Sequence, residues 1–541
     1  MSKKVRNGVA AGATVLIAAN FIVKIIGVVY KIPLANILGS EGMGYLSSAY
    51  EVYQLLLSIF TSGGTLAISK LIAESIALDA FANARKIRRV MLVAFCSVGL
   101  LGTGIMFFGA ELFGAATSKG AIYCMRALSP AIFFLCLSAV YRGYYQGLQN
   151  MRPTALSQVI EALFKLSLGV GLAILVKNLG YSTETVAAAG ISGTAISTAV
   201  GTTVMLIIFL SASGRRTDRE LAKKGGPTRP SWEIVKSFAA IGIPLAVSSM
   251  IVNLTGVLDL FLIYDRLEAI GMTEAAANVA YGGYKGYAQP LFNLPPSIIA
   301  SINIIIIPAM SVAFVKNETE RVESLARRAV KIVTVLALPC AVGLIVLAGP
   351  IQRLLFPARL DQLAVTTPLL RILGAASFWV CLASLSTALM QSTGHMRLPL
   401  ITLAVGGGVK LVTNYVLVGI PEIGIVGAPI GTLLCYMTMF GMNFVFLRRK
   451  SGLKLGFLRS ILPPLAASAI MGVGALGAYV LLERITYSAV ATVLAIVVAV
   501  GVYALSLMIF KGLDESDIRL LPKGGLIVKV FKKLKLLKNS D

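Results

Sequence analysis

The sequence predicts an all-α polytopic membrane protein, and its composition and apolar runs are the observations behind this fold class. Of the 541 residues, 57% are hydrophobic and 13% are charged, whereas an average soluble protein has about 25% charged residues. The mean hydropathy is +0.83. Apolar runs long enough for a helix to cross a hydrocarbon core of about 30 Å recur from one end of the chain to the other.

We predict fourteen transmembrane helices. The eighth apolar run contains four prolines, Pro290, Pro295, Pro296 and Pro308. Because proline removes a helical hydrogen bond, we expect this helix to be kinked or partly unwound. The first run follows a basic N-terminus but is too long for the apolar core of a signal peptide, so we interpret it as an uncleaved span. The predicted spans are 11–38, 43–73, 90–112, 122–148, 153–177, 185–211, 234–264, 278–314, 329–350, 363–392, 398–419, 423–447, 460–482 and 487–510.

The basic residues predict the orientation of these spans. Most of the 49 Lys and Arg residues lie in loops on the same side as the N-terminus, and such loops are cytoplasmic in membrane proteins. We therefore expect both termini in the cytoplasm and the chain in the bacterial cytoplasmic membrane. The net charge of +25 is explained by these loops, which contact anionic lipid headgroups, so no nucleic-acid partner is predicted. The loops are 84–89, 214–229, 316–331 and 448–459.

The sequence indicates that the protein is not an enzyme. The six cysteines lie in apolar runs without metal-ligand spacing, and free cysteines are commonly buried as small core residues. His395 is the single histidine, which is too few for a zinc site. No loop predicted on the outer side is long enough to form a catalytic domain. Neither a metal nor a cofactor is predicted.

The chain contains an internal repeat. The segment that begins at Phe133 matches the segment that begins at Phe378 at a constant offset, and Lys165 and Lys410 are among the identical positions. Two shorter matches follow the same order: "CSVGL" (96–100) with "CAVGL" (340–344), and "GISGTAIST" (190–198) with "GIVGAPIGT" (424–432). The first twelve spans therefore form two six-helix lobes related by a parallel repeat. In transporters built this way, the substrate binds between the lobes.

The repeat gives the predicted domain organisation. It comprises an N-terminal lobe, a cytoplasmic linker, a C-terminal lobe, two extra C-terminal helices and a basic amphipathic tail that we expect to lie on the inner membrane surface. The respective residues are 1–213, 214–233, 234–448, 449–511 and 512–541.

Lysines deep inside the spans are the main candidate functional residues. A charge at the bilayer centre costs about 2.5–3.5 kcal/mol on insertion scales, yet Lys24, Lys31 and Lys285 lie in spans with few acids nearby in sequence. Lys24 and Lys31 are seven residues apart, so a helix places them on one face. An excess of ammonium groups in a central cavity favours an anionic substrate such as a phosphate or pyrophosphate. The alternative is that each lysine has a purely structural partner.

Four other charged residues in the spans are candidates for the cavity or for coupling. Lys165 and Lys410 occupy equivalent positions of the repeat, which indicates either a shared structural role or a symmetric lining of the cavity. Glu51 is an acidic candidate at the cavity. Asp259 is expected either to balance a deep lysine or to help hold a coupling cation, together with the amide and hydroxyl groups that precede it.

Three long segments resemble the multidrug/oligosaccharidyl-lipid/polysaccharide (MOP) exporter superfamily. The resemblance covers nearly the whole chain and points to the branch with stage V sporulation protein B and the MurJ-like lipid II flippases. It implies a flippase that moves an undecaprenyl-pyrophosphate-linked sugar, above all the peptidoglycan precursor lipid II, to the outer leaflet by alternating access. The segments are "KIIGVVYKIPLANILGSEGMGYLSSAYEVYQ" (24–54), "YYQGLQNMRPTALSQVIEALFKL" (144–166) and "YGGYKGYAQPLFNLPPSIIASINIIIIPAMS" (281–311).

The resemblance also implies site residues. In such flippases, basic residues of the first, second and eighth spans line the cavity for the pyrophosphate headgroup. Carried over, this points to Lys24 and Lys31 in the first span and to Lys285 in the eighth. In the second span Lys70 is the nearest basic residue, and its alternative is an ion pair with Glu74. The two extra helices resemble those that form a groove for the lipid tail.

Several alternatives stay open from the sequence. Within the superfamily they are another polysaccharide-lipid exporter, or a cation or drug antiporter, although antiporters need more intramembrane acids than this chain has. A further alternative is a scaffold of a wall-building complex, with cell-wall synthesis proteins as partners. We expect transport to be driven by a monovalent cation or by the membrane potential, which acts with about 2.3 kcal/mol per charge per 100 mV.

Overall fold

The computed structural model describes residues 3–450 and 457–510, and every regular element in these ranges is a helix. The chain divides into two compact units, Met1–Gly286 and Tyr287–Asp541. This division falls inside the predicted eighth span. The predicted domain limits, which follow the sequence repeat, stay a prediction. The predicted amphipathic tail, 512–541, lies outside the described residues.

The first unit consists, in its described residues, of α1 (Lys3–Thr61), α2 (Gly64–Ala77), α3 (Phe81–Phe108), α4 (Ala110–Ala115), α5 (Ala121–Leu128), α6 (Pro130–Gly147), α7 (Arg152–Asn178), α8 (Thr183–Leu210), α9 (Ala212–Lys224), α10 (Ser231–Ala269) and α11 (Glu274–Gly282). The long α1 bends at Gly39, whose backbone is not helical (φ 71°, ψ −177°). Glycine adopts a positive φ without steric cost. The bend falls one residue after the predicted end of the first span.

The second unit consists, in its described residues, of α12 (Gln289–Phe292), α13 (Leu294–Val315), α14 (Thr319–Val346), α15 (Ala348–Leu355), α16 (Leu363–Ser392), α17 (Leu398–Val418), α18 (Gly427–Lys450), α19 (Phe457–Glu483) and α20 (Ser488–Ile509). A π-helical segment, Gly283–Ala288, lies between α11 and α12. The predicted eighth span is therefore interrupted, as its prolines indicated. Two 3-10 segments, Pro357–Gln362 and Gly424–Val426, precede α16 and α18.

Twelve segments of the described residues are long and apolar enough to cross a membrane. The predicted number of fourteen is therefore not confirmed, whereas the all-α polytopic architecture is. The difference arises at two places. The first two predicted spans lie in one continuous run, 18–77, and the eighth contributes only a shorter apolar helix, Ile306–Val315. Each of the other eleven predicted spans corresponds to one of the twelve segments.

Equivalent helices of the predicted repeat pack in the same way within each unit. In the first unit α6 packs against α3 and α8, and α7 packs against α8. In the second unit α16 packs against α14 and α18, and α17 packs against α18. The matching sequence segments lie on these helices in the same order. The repeat in sequence is therefore also a repeat in fold.

Glycines allow α7 and α8 to approach each other closely. A Cβ atom at Gly193 of α8 would overlap the backbone of Gly169 of α7, and a Cβ atom at Gly169 would lie 2.6 Å from the ring of Tyr30. Small residues are common at helix contacts in membranes, where van der Waals packing drives association. This close packing places α7, and with it Lys165, beside α1.

We expect Gly193→Leu to lower the unfolding temperature of the purified protein, because the larger side chain forces α7 and α8 apart. Overpacking a tight contact costs about 1–3 kcal/mol, and a thermal melt in detergent measures the loss. The control is Gly171→Leu on α7, because no atom of a neighbouring element lies within 4 Å of a Cβ atom there. Equal losses in the two variants would contradict the close packing.

Candidate functional site

Lys285 lies in the π-helical segment and forms an ion pair with Glu51 of α1. Its Nζ donates a hydrogen bond to Glu51 Oε1 at 2.7 Å, and the two side chains are 7% and 24% exposed. The ring centroids of Tyr281 and Tyr284 lie 5.7 and 5.6 Å from Nζ, within the range of cation–π attraction. The carboxylate and the rings together offset the cost of burying the ammonium group.

Lys165 of α7 lies against aromatic side chains of α1. Its Nζ is 5.1 Å from the ring centroid of Tyr30 and 5.3 Å from that of Tyr50. The Tyr30 hydroxyl donates a hydrogen bond to the carbonyl oxygen of Gly190 at 3.0 Å, which fixes this ring between α1 and α8. Because the aromatic rings carry no net charge, they stabilise the ammonium group of Lys165 without neutralising it.

Lys31 of α1 lies within electrostatic reach of Lys165, Lys285 and Glu51, and we call the three lysines the basic cluster. The charge of Lys31 is repelled by Lys165 and Lys285 and attracted by Glu51. Asp259 of α10 is fully buried and interacts with one of the tyrosines beside Lys285. Even when both carboxylates are counted, three ammonium groups face two acids. This region of the first unit therefore carries an excess of positive charge, which attracts anions.

Two of the predicted site lysines have exposed side chains. Lys24 on α1 and Lys70 on α2 form no ion pair with any residue in the described parts of the chain. The alternative for Lys70, an ion pair with Glu74, is not formed. The Glu74 carboxylate lies 3.7 Å from the guanidinium group of Arg229 instead, because the chain after α9 returns to the end of α2. The structure thus brings Lys31, Lys165 and Lys285 together, and not these two.

A second ion pair lies near the basic cluster, and neither of its residues is among the predicted site residues. Arg142 of α6 and Glu161 of α7 are 2.7 Å apart, with side chains 12% and 20% exposed. Glu161 lies one turn before Lys165. Arg142 falls inside the predicted fourth span, so the rule that selected Lys165, a charge within an apolar run, would also have found it. The tyrosines around the cluster carried no comparable signal, because aromatic residues are frequent in membrane helices.

Among the described residues, the charged positions of α6 and α7 are only partly charged in their repeat equivalents on α16 and α17. Lys410, the repeat equivalent of Lys165, is half-buried on α17. The positions equivalent to the second ion pair are occupied by Thr387 and Gly406. The structure therefore places most of the predicted site residues in the first unit.

A tight contact, which we call the seam, joins residues 40–51 of α1 to residues 278–286 of α11 and the π-helical segment. The Asn278 amide donates a hydrogen bond to the carbonyl oxygen of Glu41 at 2.9 Å and accepts one from the Tyr264 hydroxyl at 2.8 Å. The same hydroxyl lies 3.2 Å from Ser48 Oγ. Polar groups of three helices are thus satisfied across the seam.

Glycines bring the two sides of the seam together. A Cβ atom at Gly44 would overlap Asn278, and one at Gly282 would overlap the carbonyl oxygen of Ser40. A Cβ atom at Gly286 would lie 2.7 Å from the Cβ of Met43. This proximity of the two backbones allows Lys285 to reach Glu51.

The two helices that follow the repeat form a shallow apolar groove, open to the surface, between α19 and α20. Its lining has no charged side chain, so it suits a hydrocarbon chain rather than a polar ligand. The lining residues are Ala469, Ile470, Val473, Gly474 and Val502.

Comparison with known proteins identifies relatives of the whole chain. A family model described as polysaccharide biosynthesis protein matches residues 9–314. Stage V sporulation protein B of Bacillus subtilis is 24% identical over 531 residues, which cover 96% of this chain and 98% of that protein. The lipid II flippase MurJ of Bacillus subtilis is 24% identical over 483 residues, which cover 85% and 87% of the two proteins.

Solved structures confirm the fold class. The lipid II flippase MurJ in an inward closed conformation matches with a TM-score of 0.69 at 15% identity, over 91% of this chain and 98% of that one. An inward-facing multidrug resistance MATE family transporter of the MOP superfamily matches with a TM-score of 0.66 at 18% identity, over 82% and 94%. The predicted resemblance to the MOP superfamily is confirmed. The MurJ and MATE proteins among these relatives are named as a flippase and a transporter.

The excess positive charge predicts that a cysteine beside the basic cluster reacts faster with an anionic thiol reagent than with a cationic one. We expect Tyr50→Cys, in a chain whose six native cysteines are replaced by alanine, to prefer sulfonatoethyl methanethiosulfonate several-fold over its trimethylammonium counterpart. Adding Lys165→Gln removes one of the charges and should reduce this preference. The control is Ser182→Cys, an exposed position before α8, whose preference should not respond to Lys165→Gln. An unchanged preference at Tyr50→Cys would contradict the positive potential.

Proposed function

The chain belongs to the polysaccharide biosynthesis protein family, and on this basis we propose that it is a flippase for a lipid-linked sugar. Its substrate is an undecaprenyl-pyrophosphate-linked saccharide, above all the peptidoglycan precursor lipid II, which moves from the inner to the outer leaflet by alternating access. The observation that carries this proposal is the basic cluster. Ammonium groups that are buried in excess over carboxylates are stabilised by an anionic headgroup.

Each charged residue has a role in this proposal. Lys31, Lys165 and Lys285 bind the pyrophosphate as point charges, a use to which the flexible lysine side chain is suited. Lys24 and Lys70, whose side chains are exposed, contact the headgroup before it reaches the cluster. A pyrophosphate brings negative charge that the two carboxylates do not supply. The drug or cation antiporter receives less support, because a cationic substrate would be repelled by the same cluster.

The apolar groove is consistent with a substrate that has a lipid tail. An undecaprenyl chain is a long hydrocarbon that has to stay out of water while its headgroup crosses the membrane. The groove between α19 and α20 presents apolar side chains only, so the tail lies there without desolvating polar groups. The predicted tail site at 449–511 contains this groove.

The basic loops support the proposed membrane location and orientation of the protein. The chain is a multi-pass membrane protein. In our proposal it lies in the bacterial cytoplasmic membrane with both termini in the cytoplasm, and its basic loops contact anionic lipid headgroups. Cell-wall synthesis proteins use the translocated product, and no nucleic acid takes part. The membrane potential or a monovalent cation drives the cycle, with Asp259 and Glu51 as the candidate coupling residues.

The proposal is tested by depleting the protein and measuring how much lipid II reacts with a membrane-impermeant lipid II-cleaving enzyme at the cell surface. We expect depletion to reduce the reaction and the wild-type protein to restore it. Lys31→Gln, Lys285→Gln and Lys24→Ala test the headgroup contacts. For Lys31→Gln and Lys285→Gln we expect at least about a tenfold loss of transport, the change that 1.4 kcal/mol produces.

The matched control for these variants is Arg216→Gln, which removes one positive charge from an exposed ion pair with Glu220. It should restore transport fully, because such surface pairs contribute little. If depletion leaves lipid II exposure unchanged, the flippase proposal is wrong. Full transport by Lys31→Gln and Lys285→Gln would remove the basic cluster from the site.

The groove makes a separate prediction. We expect Gly474→Phe to fill the groove and to weaken binding of undecaprenyl pyrophosphate, while binding of the short geranyl pyrophosphate stays unchanged. The control is Gly477→Phe on the same helix, an exposed position with no atom of a neighbouring element within 4 Å of its Cβ direction. Affinities of the purified protein in nanodiscs measure the difference. Equal losses for the long and the short lipid would contradict a tail site.

A further inference from the structure

The Glu51–Lys285 pair connects helices that the sequence repeat assigns to different lobes. Glu51 lies on α1, within the predicted N-terminal lobe, and Lys285 lies in the π-helical segment, within the predicted C-terminal lobe. Both residues belong to the same compact unit of the structure. The second carboxylate oxygen faces α10, since a Cβ atom at Gly256 would lie 2.8 Å from it. Glu51 is therefore enclosed by three segments at the end of the seam.

In the proposed cycle, Glu51 and the pyrophosphate compete for the ammonium group of Lys285. Its side chain is 7% exposed, and its ammonium group already donates a hydrogen bond to Glu51 at 2.7 Å. A phosphate oxygen that approaches this group also approaches the carboxylate, and two like charges at short range repel each other strongly in a site of low dielectric constant. Binding of a pyrophosphate therefore favours a state in which Glu51 has moved away from Lys285.

Resting on the flippase function proposed above, we propose that Glu51 is a positioning residue that holds Lys285 until the pyrophosphate replaces it, and that this exchange loosens the seam. Without substrate, the carboxylate neutralises Lys285 and ties α1 to the π-helical segment. When the pyrophosphate binds, this tie is lost. On release, the carboxylate returns to Lys285 and repels the departing headgroup.

This role predicts an effect that a purely structural role does not. Glu51→Gln keeps the size of the side chain and removes its charge. The pyrophosphate then meets no repulsion and no competitor, so it binds more tightly. The release step loses its competitor as well, so turnover falls. A carboxylate that only supports the fold would, when replaced, weaken binding and turnover together.

The first experiment measures the affinity of the full-length protein in nanodiscs for undecaprenyl pyrophosphate, and its transport rate in vesicles. We expect Glu51→Gln to bind about tenfold more tightly, the lower end of what close charge pairs contribute, and to transport more slowly at saturation. Glu51→Asp keeps the charge and should stay close to the wild type in affinity. Weaker or unchanged binding by Glu51→Gln would overturn the inference.

The second experiment measures the seam in the full-length protein. Spin labels at Glu41→Cys and Ala275→Cys, both exposed positions, report the distance between α1 and α11 once the native cysteines are replaced. We expect undecaprenyl pyrophosphate to lengthen this distance, and Glu51→Gln to lengthen it without the lipid. A distance that responds to neither would overturn the inference, even if the variant failed to transport.

The matched control is Glu161→Gln. Its ion pair with Arg142 is also 2.7 Å long and similarly buried, but both partners lie within the predicted N-terminal lobe. It should leave the seam distance unchanged, and a seam that opens equally would show a general loss of packing instead. Failure of the wild-type protein to bind undecaprenyl pyrophosphate rejects the proposed function, whereas wild-type binding with an unresponsive seam rejects only the role of Glu51.

Discussion

The burial of lysine ammonium groups among apolar helices is the constraint on which the site depends. Removing a charge from water is costly unless it is paired, and the structure uses two kinds of partner. Lys285 has a carboxylate at 2.7 Å, which cancels its charge. Lys165 has the rings of Tyr30 and Tyr50, which stabilise a cation but leave its charge in place. The site is therefore stable and positively charged at once, which is what an anion-binding site requires.

The geometry of the helices makes this arrangement possible. Lys285 reaches Glu51 because Gly282 and Gly286 let the backbone of the seam approach α1. The contacts across the seam combine close glycine packing and hydrogen bonds around Asn278 with buried large side chains such as Met43 and Tyr281. Packed interfaces of this kind have discrete alternatives rather than continuous deformations.

The sequence predicted those features that depend on local composition. Apolar runs located the spans, the prolines indicated the interruption near Lys285, and the repeat predicted equivalent packing in both units. Contacts between distant residues were beyond this reasoning. Glu51 and Lys285 are 234 residues apart, and only the packing of α1 against α11 brings them together. The pairing of Lys70 with Glu74, which the sequence left open as an alternative, is absent for the same reason, because Arg229 of the distant linker pairs with Glu74.

The π-helical segment has a consequence for how sites are transferred between related chains. A π turn contains an additional residue compared with an α turn, and each residue of a helix rotates the chain by about 100°. Side chains on either side of Gly283–Ala288 therefore point in directions that an uninterrupted helix would not give them. A homologue with one residue fewer at this point would present a different side chain to α1 even if its lysine aligned perfectly. Equivalence at this position has to be judged from the helix type as well as from the alignment.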